Sequence, residues 1–198
     1  MGLLGGSFDP PHLGHIHAAR EAQKALGLQE VIFIPCHRQP LKPDAPAAGA
    51  FHRAAMVALA TADRNDWRME TLELERQGVS FTADTLAELC ERSPESEWFL
   101  LAGSDILASL PRWVRIGEIL RLATLAVVPR PGWPSTIPEE LTGARIRTLP
   151  CAEAPFSSSD IRRRLARGED VSDRVPAPVL RYIEKEALYG AASADGRR

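Results

Sequence analysis

Cysteine is scarce in this chain and poorly placed for cross-linking. The three cysteines, Cys36, Cys90 and Cys151, are odd in number, widely spaced and form no CxxC pair. Neither a disulfide framework nor a cysteine-based zinc site is expected, and a reducing compartment is. Long apolar runs are also missing: none approaches the ~18 residues that a membrane-spanning helix needs. The first residues carry no basic region followed by an apolar stretch and a small-residue cleavage site. No secretory signal is therefore expected, and the expected location is the cytoplasm. An excess of charge of one sign is absent too. The 24 Lys and Arg nearly balance 26 Asp and Glu, for a formal net charge of −2. A protein built to coat nucleic acid would be basic overall, although a local basic pocket for phosphates remains compatible. There is no internal repeat and no low-complexity segment.

What remains is an ordinary globular composition, 44% hydrophobic and 25% charged over 198 residues. That length suits one domain, expected over 1–190 with a helical C-terminal part at about 157–190, and a small polar tail at 191–198 that frays. Short apolar runs alternate with helical patterns. Gly2 to Leu4 reads as a first strand ended by Gly5-Gly6. Leu13, Ile16, Ala19, Ala22 and Leu26 recur at helical spacing, and Gly27 ends that helix. Val31 to Ile34 is a strand, followed by a breaker-rich loop from Pro35 to about Gly49. The pattern continues with a helix over Phe51 to Arg64, an alternating strand over Met69 to Glu75 and a helix over Thr82 to Arg92. Trp98 to Ala102 and Thr124 to Val128 read as strands buried on both faces, separated by a helix over Ile116 to Leu122. A short strand at Arg145 to Leu149 precedes two helices, Ser158 to Arg167 and Pro176 to Leu188. Ser157 or Ser158 suits the N-cap of the first, and Pro176 the first turn of the second. Alternation of this kind predicts an α/β fold: a Rossmann-like, doubly wound parallel sheet with helices on both faces. In such sheets ligands bind beyond the carboxyl ends of the strands, where the topology changes direction.

The segment Gly5-Gly6-Ser7-Phe8-Asp9-Pro10-Pro11-His12-Leu13-Gly14-His15 sits at such an end. Its glycines permit a tight turn and close backbone approach to a ligand. The helix expected to start near Pro11 offers unpaired N–H groups and a positive dipole end to phosphate. His12 and His15 are three apart and share a face, so both can address one anion. A turn followed by two surface histidines would be the bland alternative. A two-histidine metal site lacks a visible third ligand, and no protein metal site is expected.

This segment resembles the GxFxPxHxGH signature of the nucleotidyltransferase superfamily, and its wording is similar to that of bacterial nicotinate-nucleotide adenylyltransferases. Further segments resemble the same family in the same order: Ser80-Phe81-Thr82-Ala83-Asp84-Thr85-Leu86, Gly103-Ser104-Asp105 with Leu110-Pro111-Arg112-Trp113, Val128-Pro129-Arg130-Pro131-Gly132, and Ser157-Ser158-Ser159-Asp160-Ile161-Arg162. The likeness spans roughly residues 3 to 189. It implies transfer of AMP from ATP to nicotinate mononucleotide with release of pyrophosphate, aided by Mg²⁺. It implies that His12 and His15 contact the ATP phosphates, His15 steadying the α-phosphoryl transition state. Gly5, Gly6, Ser7, Phe8, Gly14, Gly103, Asp105, Ser157, Ser158 and Ser159 would surround ATP. Asp9, Thr85, Trp113 and Arg130 would meet nicotinate mononucleotide, Thr85 near the nicotinate end and Trp113 against the pyridine ring. Small molecules are thus the expected partners, with neither nucleic acid nor membrane among them; a homo-oligomer is compatible.

The residues carry parts of this reading unaided. Ser157 to Ser159 open a helix whose hydroxyls and N–H groups can receive phosphates, and Arg162 lies one turn in, able to make two parallel hydrogen bonds. A simple cap and a solvated arginine would be the alternative. Trp113 is either a rim aromatic or a stacking surface. Lys42, near His37 and Arg38 in the loop of 35–49, could close over a triphosphate or serve only solubility. Here the chain departs from the family, whose PPHK or PPHR form has a His where this sequence has Leu41; the function of that His is lost or passes to His37. Arg53 either steadies the loop or lies on the helix surface. His12-Leu13-Gly14-His15 also resembles the HIGH motif of class I aminoacyl-tRNA synthetases, but the second, lysine-rich signature and an anticodon-binding region are not found. The arginines at 162, 163, 164 and 167 make a helix-turn-helix binder imaginable, against the acidic balance of the chain.

Overall fold

The computed structural model describes residues 1–41, 44–151 and 155–191. Its centre is a six-stranded sheet formed by β1 (Gly2–Gly6), β2 (Val31–Pro35), β3 (Trp67–Met69), β4 (Trp98–Gly103), β5 (Ala123–Val128) and β6 (Ile146–Thr148). The order is β3-β2-β1-β4-β5-β6, and every neighbouring pair is parallel. This is the doubly wound order in which the direction of winding reverses between β1 and β4, leaving a crevice beyond their carboxyl ends. The parallel sheet follows from strands apolar on both faces: every residue of β2 and β5 is buried.

Alternate residues of each strand feed two cores. Leu3, Ile32, Ile34, Leu100, Leu125 and Val127 pack with Leu86 and Leu89 of α4 (Thr82–Arg92) and Ile119 of α5 (Ile116–Leu122). Leu4, Val31, Phe33, Phe99, Leu101 and Ala126 pack with Ala19 and Ala22 of α1 (Leu13–Leu26) and Val57 of α2 (Ala50–Thr61). A third core joins Met56 of α2 to Ile161 and Leu165 of α6 (Ser158–Ala166) and to Val179 and Ile183 of α7 (Ala177–Lys185). Gly27 ends α1 in the left-handed conformation at φ 64, as the sequence suggests.

Three local expectations are corrected. Gly5 and Gly6 do not form a turn but continue β1, in register with Ile34 and Pro35. The expected strand at Met69 to Glu75 is cut short at Met69 and followed by a short helix, α3 (Leu72–Arg76). Helix geometry buries both Leu72 and Glu73, adjacent residues that a strand would send to opposite faces. Pro176 is the N-cap of α7 rather than its first turn. A 3₁₀ helix over Ser104–Arg112, unforeseen in the sequence, carries the chain from β4 to Trp113. No helix among the described residues is long and apolar enough to cross a membrane.

Candidate active site

A cleft of ≈ 810 Å³ opens at the switch point, between the carboxyl ends of β1 and β4, the N-terminus of α6 and the 3₁₀ helix. Its floor is the His12–His15 segment. His12 is not inside α1 but caps it: its Nδ1 accepts the Gly14 N–H at 3.1 Å, while His15 Nδ1 accepts the His12 N–H at 3.1 Å. The two rings therefore form a reciprocal capping box at the helix start, the task usually given to Ser and Glu. With both Nδ1 atoms accepting, each ring carries its proton on Nε2. The rings stack at a centroid distance of 3.8 Å. His12 is 1% exposed. Burial, with Arg130 nearby, lowers its pKa to about 3, so at neutral pH it is an uncharged N–H donor and not a cation.

Gly14 is required by this packing. A Cβ there would lie 2.9 Å from His12 Nδ1 and 3.2 Å from Phe156 Cβ. A Cβ on Gly5 would meet nothing within 4 Å, so that strand end leaves open space above it. Phe8 is corrected from the ATP contact expected of it. Its side chain is 1% exposed, against Phe33 and against the His15 ring at 4.9 Å. It supports His15 from below, in the left-handed conformation at φ 47.

Across the cleft, Ser157 caps α6 by accepting the Asp160 N–H at 3.3 Å. Ser158 Oγ donates to the Pro10 carbonyl at 2.9 Å, which ties the helix start to the histidine segment. Arg162 Nη1 donates to the Asp9 carbonyl at 2.7 Å, and Nη2 to Ser159 Oγ at 3.4 Å. Ser7, Gly14, His15, Ser157, Ser158, Ser159 and Arg162 all line the cleft. They bring N–H groups, hydroxyls and one guanidinium to the same end.

Asp9, expected near the mononucleotide, also borders the cleft, but the residue is 4% exposed and its carboxylate is committed to the protein. It accepts the Ala47 and Ala48 N–H groups at 2.7 and 3.0 Å and the Tyr189 hydroxyl at 2.8 Å. Burial, the Asp9 charge and the hydrogen bond to it push the Tyr189 phenol up, so it stays a neutral donor.

At the other end, Trp113 borders the cleft, half-buried against the sheet core. Asp105 and Arg130 line the same wall and pair with each other at 2.8 Å. Gly103 permits that pair: a Cβ there would sit 2.4 Å from Asp105 Oδ1 and 2.6 Å from Arg130 Cδ. Asp105 thus does not cap the following helix, whose N-cap is Gly103. Thr85 lines the cleft too, but its hydroxyl donates to buried Glu73 at 2.7 Å. Burial raises the Glu73 carboxyl, opposed by the Thr85 and Ser80 hydroxyls.

Lys42 lies outside the described residues, and Leu41 stands at the cleft mouth, 52% exposed. His37, the histidine of that loop, has its Nδ1 3.0 Å from the Gly78 carbonyl. Arg53 proves to be fully buried. Its guanidinium donates to the carbonyls of Ser7, Cys36, His37 and Ala48, clamping the ends of β1 and β2 to the following loop. Among the described residues, no three His, Cys, Asp or Glu gather as a metal cluster.

Residues 3–164 match the family model described as cytidylyltransferase-like. The probable nicotinate-nucleotide adenylyltransferase of Herpetosiphon aurantiacus is 40% identical over 195 residues, covering 96% of this chain and 98% of its own. The protein of the same name from Bacillus pumilus is 39% identical, covering 96% and 97%. In fold, the chain is similar to Plasmodium falciparum nicotinic acid mononucleotide adenylyltransferase complexed with NaAD. The TM-score is 0.77 at 20% identity, with 96% of both chains covered. Full-length similarity of this degree, over a fold whose switch-point cleft holds the stacked His12 and His15, shows that the chain belongs to the nicotinate-nucleotide adenylyltransferase family of nucleotidyltransferases.

Proposed function

We propose that the chain transfers the AMP moiety of ATP to nicotinate mononucleotide, giving nicotinate adenine dinucleotide and pyrophosphate in NAD biosynthesis. One observation carries the mechanism: the His12–His15 capping box faces the N-terminus of α6 across one cleft. An oxygen of the mononucleotide phosphate attacks the α-phosphorus of ATP. A new P–O bond forms, the bond to the β-phosphate oxygen breaks, and pyrophosphate leaves with the electron pair. The attacking oxygen is already anionic near neutral pH, so no strong base is needed; positioning and charge stabilisation supply the catalysis.

In this reading the Nε2–H groups of His12 and His15 donate to the phosphate oxygens around the reacting phosphorus. Neutral donors held by a helix cap need no reorganisation as charge shifts toward the leaving group. Arg162 and the Ser157–Ser159 start of α6 receive the β- and γ-phosphates, and Lys42 adds charge from the loop. Gly5, Gly6, Ser7 and Gly14 leave room for the nucleotide; Gly103 and Asp105 form its wall. Trp113 stacks on the pyridine ring, with Thr85 and Arg130 beside it. Asp9 acts on the mononucleotide side only indirectly, by holding the segment that carries His12. The donor set of N–H groups, hydroxyls and a guanidinium suits a triphosphate that brings Mg²⁺ with it; among the described residues no three His, Cys, Asp or Glu gather to hold an ion. When bound, it would neutralise charge on the phosphates.

The test is pyrophosphate release with ATP and Mg²⁺, supplied in parallel with nicotinate mononucleotide, nicotinamide mononucleotide and phosphopantetheine. Strong preference for the nicotinate compound is expected. Turnover of phosphopantetheine alone would keep the chemistry and discard the substrate.

A further inference from the structure

The third core ends in a feature that the transfer mechanism does not use. Beyond α7 the chain turns through the 3₁₀ segment Leu188–Gly190, with Tyr189 at φ 60, and comes back against α6. Gly190 passes so near that helix that a Cβ on it would lie 3.5 Å from the Ala166 Cα. The turn half-buries the Tyr189 side chain and delivers its hydroxyl to Asp9 Oδ1 at 2.8 Å, across 180 residues of sequence.

Asp9 is the neighbour that matters to Arg162. The guanidinium donates to the Asp9 carbonyl at 2.7 Å, yet its nearest approach to the carboxylate is 3.5 Å. That is longer than a charge-assisted hydrogen bond of about 2.7–2.9 Å. The carboxylate is instead satisfied by Tyr189 and by the Ala47 and Ala48 N–H groups. A buried carboxylate that loses a donor draws in the nearest cation, because an unsatisfied buried charge is costly. Among the described residues that cation is Arg162, 3.5 Å away.

We propose that Tyr189 is a positioning residue for the triphosphate end of the cleft: by holding Asp9, its hydroxyl keeps the Arg162 guanidinium available to phosphate. The C-terminal turn is then part of the nucleotide site although it does not line it. This inference rests on the reading of Arg162 as a phosphate contact, and the experiment separates the two.

Initial rates are measured for the full chain and for Tyr189→Phe, Arg162→Ala, the double variant and Tyr182→Phe. Tyr182 is the control, since its hydroxyl lies in the same core, 2.9 Å from His52 Nδ1 and away from the cleft. Tyr189→Phe is expected to raise KM for ATP about tenfold while KM for the mononucleotide stays within about twofold. Tyr182→Phe should lower the thermal midpoint without moving either KM. In the Arg162→Ala background, Tyr189→Phe should add nothing. Two results would overturn the proposal: a Tyr189→Phe variant that is destabilised like the control with unchanged KM for ATP, or an undiminished effect in the Arg162→Ala background. If Arg162→Ala itself leaves KM for ATP unchanged, the phosphate role of Arg162 fails, and the proposal falls with it.

Discussion

Replacing Gly14 by alanine sets stability against activity within one residue. Gly14 lies in the first turn of α1 without a positive φ, so alanine fits its backbone. By helix propensity alone the change should stabilise by about 0.5–1 kcal/mol. The new methyl, however, would be 2.9 Å from His12 Nδ1, 3.0 Å from His12 Cε1 and 3.2 Å from Phe156 Cβ. Comfortable contact is about 3.5–4.0 Å, so something must move by roughly half an ångström. The His12 ring is hemmed in by His15 at a centroid distance of 3.8 Å, and Phe156 adjoins the Ser157 cap. The displacement therefore passes to the groups assigned to the reacting phosphates, or strains the Gly14 N–H to Nδ1 bond that fixes the tautomer. Misplacement of catalytic groups on this scale costs ~10- to 10²-fold in rate. Pyrophosphate release by Gly14→Ala should fall by that factor, with the thermal midpoint moving by no more than about 5 °C. Gly117→Ala, on α5 with no atom within 4 Å of its new Cβ, serves as the helix-propensity control and should keep full activity. A Gly14→Ala rate within about threefold of the parent would refute the claim that His12 is held where a small shift matters.

His12→Asn separates the cap from the donor, because asparagine is among the best N-caps but lacks the Nε2–H. Its unfolding free energy should stay within about 1 kcal/mol of the parent, while kcat falls ~10²-fold; retention of near-parental kcat would remove His12 from the mechanism. The pH dependence of stability follows from the lowered His12 pKa. Between the unfolded value of 6.5 and the folded value of about 3, the unfolded chain binds a proton that the native ring refuses, so stability falls as pH falls. The slope from this group is on the order of 1 kcal/mol per pH unit within that window and vanishes above it. Urea unfolding of the parent and of His12→Asn at pH 7 and pH 5 should show the parent losing more, and parallel losses would contradict the buried neutral ring.

The alternating apolar runs sufficed for the fold because both faces of each central strand had to be covered; Val31 to Ile34 and Thr124 to Val128 are placed in sequence as they are in the sheet. The Gly5-to-His15 segment and the Ser157–Arg162 segment were each legible as a candidate phosphate site because both sit at element boundaries, where glycine, proline and serine leave local marks. Their chemistry in detail was not. That His12 is a neutral cap depends on its burial, which no local pattern states. Phe8 looks like part of the phosphate loop until tertiary packing turns it beneath His15. Glu73 seemed to belong to a strand, yet its carboxyl is buried by a helical turn and met by Thr85 from α4. Arg53 could have lain on the helix surface, but four carbonyls from three segments enclose it. Asp9 looked free to meet substrate, because its partners lie 38 to 180 residues away. The sequence alone therefore determined the central strands and the location of the motifs assigned to phosphate, which depend on local propensity and hydrophobic period. Which polar groups remain free for a ligand was decided only in the folded chain, because each such group is claimed or released by partners distant in sequence.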